Sequence, residues 1–341
     1  MKPKQIYRHM LILISFMIVL SGCRTSLPPA NGGEAGSPAP VPTSEPAAET
    51  PAPSAPSTPA ESPAVSPTKQ PSMPSPTPSP ELEQGKKVPT RLPIEHMVIV
   101  IEENHSFKQI VGNSDAPYLQ SLIAKGALFT NAHGVTHPSQ PNYLAFFSGS
   151  TQGVTNDSCK GPFSAPNLAS ELMKRKLSFS GYSEDMPKTG YSGCSYKQYA
   201  RKHNPWAQFT NVPADANKPF SDFPKDFSRL PTVSFVIPNE KHDMHSGSIR
   251  QADDWLKANL GPYVSWAETH QSLLILTWDE DDFSKKNQIP MILVGPMINP
   301  GKYAEKVNHY SLLKWIEEAY KLPQLGKSKN ASPLPLIWRL P

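Results

Sequence analysis

Between Arg24 and Pro93 the chain is written almost entirely in Pro, Ala, Ser, Thr and Glu, and this stretch decides which part of the sequence can fold. Nearly half of the 40 prolines fall inside it, and segments such as Pro71-Ser72-Met73-Pro74-Ser75-Pro76-Thr77-Pro78 offer almost nothing to bury. Such a composition cannot offset the entropy of ordering and favours extended polyproline II. At about 3.1 Å per residue it would reach on the order of 150–200 Å. A disordered stalk that holds a domain away from a surface is the expected role, with PxxP-like partner binding as the weaker alternative. Folding is thereby confined to residues 94–341, in which no internal repeat is found.

The residues before the stalk carry an address. Lys2, Lys4 and Arg8 precede an apolar run from Met10 to Leu20, too short to span a bilayer comfortably. Leu20-Ser21-Gly22-Cys23 then resembles a bacterial lipobox, so residues 1–23 read as a lipoprotein signal peptide with Cys23 as the lipidated residue. An ordinary signal peptide is the alternative. The expected location is extracytoplasmic, anchored by lipid to the outer face of the membrane. In that oxidising setting the two remaining cysteines, Cys159 and Cys194, are expected to form a disulfide, since no CxxC spacing supports metal binding. The formal charge of +4, from 33 basic and 29 acidic residues, shows no clustered basic face and excludes nucleic acid as a partner. Nothing in the stalk calls for an oligomer, and a monomer is expected.

Short apolar runs alternate with helical patterns beyond Ile94, which predicts an α/β domain with a largely parallel sheet. Runs at residues 96–101, 232–237, 272–278 and 290–294 read as strands buried on both faces. Helices are expected at Ala116–Lys125, Asn167–Lys176, Ser248–Leu260 and His309–Tyr320.

Three of these strands run into polar loops: Glu102-Glu103-Asn104-His105, Pro238-Asn239-Glu240-Lys241-His242-Asp243-Met244-His245, and Asp279-Glu280-Asp281-Asp282. Ligands of parallel α/β sheets bind outside the carboxyl ends of the strands, so these loops should converge. Alone, each reads as a solvated loop. Together, clustered carboxylates repel one another unless a cation neutralises them, which implies a divalent metal. A fourth element is Thr136-His137-Pro138-Ser139-Gln140-Pro141-Asn142-Tyr143-Leu144. Pro141 suits the first turn of a helix running through Phe147, which places Ser139 at an N-terminus that attracts phosphate. There it is either a helix cap or a nucleophile.

Ser139-Gln140-Pro141-Asn142-Tyr143, with Ser148-Gly149-Ser150, resembles the nucleophile segment of the alkaline phosphatase superfamily. The domain is similar to the bacterial phosphoesterase family that includes acid phosphatases and phospholipases C. The marks are Glu102-Glu103-Asn104-His105-Ser106-Phe107, His137 to Asn142, Lys202-His203-Asn204-Pro205 and Asn308-His309-Tyr310-Ser311-Leu312-Leu313, in order from about Ile94 to about Leu322. The resemblance implies an alkaline-phosphatase-like three-layer α/β/α sandwich. It implies Ser139 as a nucleophile that forms a phosphoserine, with Glu103, Asn104, Asp279 and Glu280 holding a divalent cation beside its oxygen. Asn142 would donate to a phosphate oxygen. His309 and one of His242 or His245 would line the phosphate or complete a second metal site, and His203 and Lys202 would offset phosphate charge.

The sequence departs from the superfamily where Asn239 and Asp279-Glu280 stand in place of an Asp and an Asp-His pair, so one metal is expected rather than two. His133, His137, His270 and His96 read as structural. The function expected of the phosphoesterase domain, residues 94–341, is metal-assisted hydrolysis of phosphate monoesters of the acid phosphatase type. Alternatives are a phospholipase C or phosphodiesterase acting on lipid or envelope diesters, and a non-catalytic phosphate-ester-binding lipoprotein. A sulfatase segment would carry an arginine that is missing here.

Overall fold

The computed structural model describes residues 94–339. The signal segment with Cys23 and the Pro-rich stalk lie outside the described residues. In chain order the elements are β1 (His96–Glu102), α1 (Phe107–Ile110), α2 (Pro117–Lys125), β2 (Ala127–His133), α3 (Ser139–Ser148), α4 (Leu168–Lys174) and β3 (Phe179–Ser183). A small hairpin of β4 (Ser195–Tyr196) and β5 (Tyr199–Ala200) comes next, then β6 (Asn217–Pro219), β7 (Val233–Ile237) and α5 (Ile249–Ala267). The chain closes with β8 (Ser272–Trp278), β9 (Gln288–Val294), β10 (Gly301–Tyr303), β11 (Val307–Asn308) and α6 (His309–Ala319).

The main sheet has the order β10-β2-β9-β8-β1-β7-β3-β6, with β11 also paired to β2. All its pairings are parallel except those of β9, which runs against both β8 and β2. The apolar runs anticipated for β1, β7, β8 and β9 are buried along almost their whole length, as central strands covered on both faces must be. The flanking helices pack in two groups, α3 with α4 and α6, and α2 with α5, which completes a three-layer sandwich.

Helix α3 is buried at every residue, with Phe146 and Phe147 against Phe235 and Phe179 and with polar Ser139, Gln140 and Asn142 in its first turn. It stops at Gly149, whose left-handed φ of 69° closes a bond to the Ala145 carbonyl; a Cβ there would stand 2.0 Å from the Leu325 carbonyl oxygen. Helix α6 is capped by Asn308, whose side chain accepts from the backbone N–H groups of Tyr310 and Ser311 and so sets His309 in the first turn. Helix α5 does not end at Leu260 as expected. It continues through Gly261 and Pro262 because Tyr263, Val264 and Ala267 prolong its buried face, and tertiary burial overrides the local breaker.

Candidate active site

The carboxyl ends of β1, β7, β8 and β2 share one edge of the sheet, and every loop singled out by its acids leaves from that edge. Backbone bonds prolong the ladder into the loops: Glu103 N–H donates to the Asp243 carbonyl at 2.7 Å and Asp279 N–H to the Glu102 carbonyl at 3.0 Å. The acidic side chains at these strand ends are therefore held by the sheet itself.

Ser139 occupies the first position of α3, 2 % exposed, and its Oγ donates to Glu103 Oε2 at 3.0 Å and faces Glu280 Oε1 at 3.3 Å. Glu103 also receives a hydrogen bond from the Tyr143 hydroxyl one turn along α3. Asn104, in a left-handed conformation (φ 53°), donates its backbone N–H to Asp279 Oδ1 at 3.3 Å. The structure thus brings Glu103, Asn104, Ser139, Asp279 and Glu280 together. Asn142 stands beside them, but its amide is taken up by the loop that precedes it. Its Nδ2 donates to the Thr136 carbonyl at 2.8 Å and lies 3.4 Å from Glu280 Oε2, while its Oδ1 accepts from Val135 and Thr136.

His203 enters from a 3-10 turn, fully buried, with Nε2 at 3.3 Å from Glu103 Oε1 and Nδ1 at 3.6 Å from Asp243 Oδ2. Its ring stacks on Tyr143. Glu103, His203 and Asp243 each offer a ligand atom within 4.8 Å of one another. Burial, reinforced by Lys202 and His245, pushes the His203 pKa well below its ordinary value, so the ring is neutral and keeps a lone pair. Lys202 pairs with Asp157 at 3.1 Å. Burial alone would depress its ammonium, but the carboxylates of Glu103 and Asp157 outweigh it and hold the charge. Asp157 also accepts from the backbone N–H of Gln140 at 2.8 Å, which joins Lys202 to the first turn of α3.

The remaining histidines fall out differently from their sequence positions. His245 lies at the mouth, its ring 5.9 Å from that of His203. His242 turns instead to Glu184, at 2.9 Å, because the loop folds back on Asn239 and presents the ring to Trp255. Buried His309 faces the Trp278 carbonyl through Nε2 at 2.9 Å, stacks on Phe146, and burial pushes its pKa down to about 4. It braces the end of β8 immediately before Asp279.

Two residues escape sequence reasoning. Asn239 does not supply the group that β7 contributes; its amide binds Asp185, and the buried carboxylate from that loop is Asp243. His137, which reads as structural in the sequence, lies 2.6 Å through Nδ1 from Glu280 Oε2. Its signal is its place two residues before Ser139, and that of Asp243 is its position between two histidines in an acid-rich loop.

The site concentrates buried negative charge. Burial, then neighbouring Asp279 and Asp243, raises the Glu103 pKa well above the usual carboxylate range. Burial pushes Asp279 up to about 7, and burial with Asp279 and Asp157 pushes Glu280 up to about 9. Asn104 Oδ1, Asp279 Oδ2, Asp243 Oδ2 and His203 Nε2 are buried without a hydrogen-bond partner. Polar atoms are rarely left so in a protein interior. Carboxylate and amide oxygens with one neutral imidazole are the donors that a divalent cation takes, and the residues present fit one. Nearby, Cys159 and Cys194 form the expected disulfide, and Arg201 donates to the Cys159 carbonyl at 2.8 Å.

The sequence profile of the Phosphoesterase family matches residues 113–323. A protein of Mycobacterium tuberculosis named phosphatidylinositol-3-phosphatase is 50% identical over 71% of this chain and 82% of its own length. The phosphate-repressible acid phosphatase of Penicillium chrysogenum is 33% identical over 69% of the chain, which spans only 61% of that larger protein. Among solved structures, an alkaline phosphatase superfamily protein of Vibrio parahaemolyticus shares the fold, with a TM-score of 0.50 at 15% identity over 71% of each chain. With a profile match that covers more than half of its length and a bacterial relative identical at every second position, the chain belongs to the Phosphoesterase family.

Proposed function

We propose that this protein is a hydrolase of phosphate monoesters that works through a phosphoserine at Ser139. The observation that carries the reading is the Ser139 hydroxyl set between the carboxylates of Glu103 and Glu280 at the N-terminus of a buried helix. Relatives named as phosphatases support a monoester over a diester, and the phosphatidylinositol-3-phosphatase relative supports a lipid headgroup among the substrates. The Leu-Ser-Gly-Cys motif ending at Cys23, the Pro-rich stretch and the disulfide support work outside the cytoplasm, anchored at the membrane face.

Glu103, Asn104, Asp279 and Glu280 would hold one divalent cation beside Ser139, with His203 and Asp243 extending the same pocket. When bound, the cation supplies Lewis acidity and neutralises charge on the phosphate. The chain's own residues do the rest. Glu103 and Glu280 orient the serine oxygen and are in reach of its proton. Lys202 keeps its positive charge near the same carboxylates and counters the charge of the incoming ester. His245, at the mouth, is placed to carry a proton between solvent and the departing alcohol. Asn142 and His137 fix the loop and the carboxylate that flank the nucleophile. Phosphoryl transfer asks for positioning and charge neutralisation more than for covalent chemistry, and this arrangement is built for both.

The test uses purified protein stripped of metal with a chelator and assayed on an aryl phosphate from about pH 4 to about pH 9, each divalent cation being restored in turn. Metal-restored turnover that falls by about 10³-fold or more in a folded Ser139→Ala protein is expected. Turnover that survives the substitution would refute the phosphoserine.

A further inference from the structure

We propose that Phe283 is a specificity-determining residue, which packs against the carbon body of the ester's alcohol and favours apolar or aromatic leaving groups. The inference rests on the phosphatase reading and deepens it. Phe283 is 66% exposed, the most exposed of the large hydrophobic residues among those described. It also adopts a left-handed φ of 64°, which a bulky side chain rarely takes. An open aromatic face and a strained backbone at one residue both cost stability, and the core gains from neither. Strain of this kind collects at ligand-binding positions.

The loop is not loosely placed. The Asp281 carboxylate accepts from the backbone N–H of Ser284 at 2.8 Å and of Gln288 at 3.2 Å. Asn287 accepts from Asp281 N–H at 2.8 Å and donates to the Thr136 carbonyl, also at 2.8 Å. The turn is thus tied at both ends, and to the segment that leads into α3. It holds one face of the Phe283 ring on the His137 ring, with centroids 5.0 Å apart and planes 20° from parallel. His137 bonds Glu280 at 2.6 Å, and Glu280 faces the Ser139 oxygen at 3.3 Å. The ring therefore stands at the rim of the pocket, three contacts from the nucleophile through His137 and Glu280. A phosphate seated at Ser139 with an alcohol pointing outward would carry that alcohol past this wall. Aromatic faces take alkyl and aryl groups through dispersion and edge contacts, and do little for a small hydroxylated alcohol.

The experiment measures kcat/KM for phenyl phosphate and for glycerol phosphate on the full-length, metal-loaded protein. In Phe283→Ala the ratio of the first to the second is expected to fall about three- to tenfold, carried by KM of the aryl ester. Phe283→Trp should restore it, and Phe283→Leu should lie between, which guards against a loop that collapses in the alanine protein. An unmoved ratio overturns the proposal. A parallel loss of kcat on both esters at constant ratio does so too, because it makes Phe283 a prop for His137 alone. Hydrolysis of neither ester by the unaltered protein would instead bring down the phosphatase reading, and the inference with it.

Discussion

Without a divalent cation the folded protein should lose stability as pH rises from about 6.5 to about 9. Asp279 is fully buried, and burial lifts its pKa from 3.8 to about 7 in the fold. Its folded pKa lies above its unfolded one, so the native state binds the extra proton. Its contribution to stability is therefore complete below about pH 4 and is lost as pH rises towards about 7, where ionisation within the fold catches up. The difference corresponds to at most about 4 kcal/mol, at roughly 1.4 kcal/mol for each unit of pKa. For a domain of this size that is a drop in melting temperature on the order of 10 °C. Glu280, pushed up to about 9, extends the fall to higher pH, whereas buried His309, pushed down to about 4, works the other way up to about pH 6.5. A bound cation favours the ionised carboxylates and should flatten or reverse the slope. The assay is calorimetry of chelated and metal-loaded protein between about pH 6.5 and about pH 9, above the range in which His309 offsets the carboxylates. A chelated protein whose midpoint is flat or rises across that range would refute the claim that these carboxylates are buried against their charge.

Three further outcomes are expected. Asp243→Asn keeps the shape of the side chain but removes a charge 3.6 Å from His203, and should weaken metal retention by about 10–100-fold in competition with a chelating dye; unchanged retention would place Asp243 outside the metal's reach. Replacing both Cys159 and Cys194 by serine opens a loop of 35 residues and should cost about 3–4 kcal/mol by loop-closure entropy, read as a fall in the melting midpoint that reductant reproduces in the unaltered protein. Gly181→Ala would set a Cβ 2.0 Å from the Trp206 ring, which is pinned by its bond to Asn217, and should cost at least about 1–3 kcal/mol in denaturant titration. An alanine protein of native stability would mean that β3 shifts freely.

The central strands are legible because strands buried on both faces need unbroken apolar runs, and β1, β7 and β8 have them. Strand β3 is not, because Phe179-Ser180-Gly181-Tyr182-Ser183 has no such run; it is buried by the Trp206 ring that fills the space over Gly181. The short β10 and β11 exist through pairing with β2 and leave no periodicity to read. The reversal of β9 is open to inference, since Asp279 to Asn287 is too short for a parallel crossover. The acids that meet around Ser139 announce themselves at strand ends. Whether a loop residue then turns inward, as Asp243 does, or outward, as His242 does, depends on contacts with Glu184, Asn239 and His203 from distant segments.

That reversed strand has a consequence for how such an enzyme changes. Because β9 runs back beside β8, the turn between them starts and finishes at the reactive edge and never has to thread across the sheet. Lengthening it costs only about 0.6 kcal/mol for each doubling of the loop. The tip from Asp282 to Lys286 is thus a replaceable cassette, exchanged while Asp279, Glu280 and the buried anchors Asp281 and Asn287 stay fixed at its root.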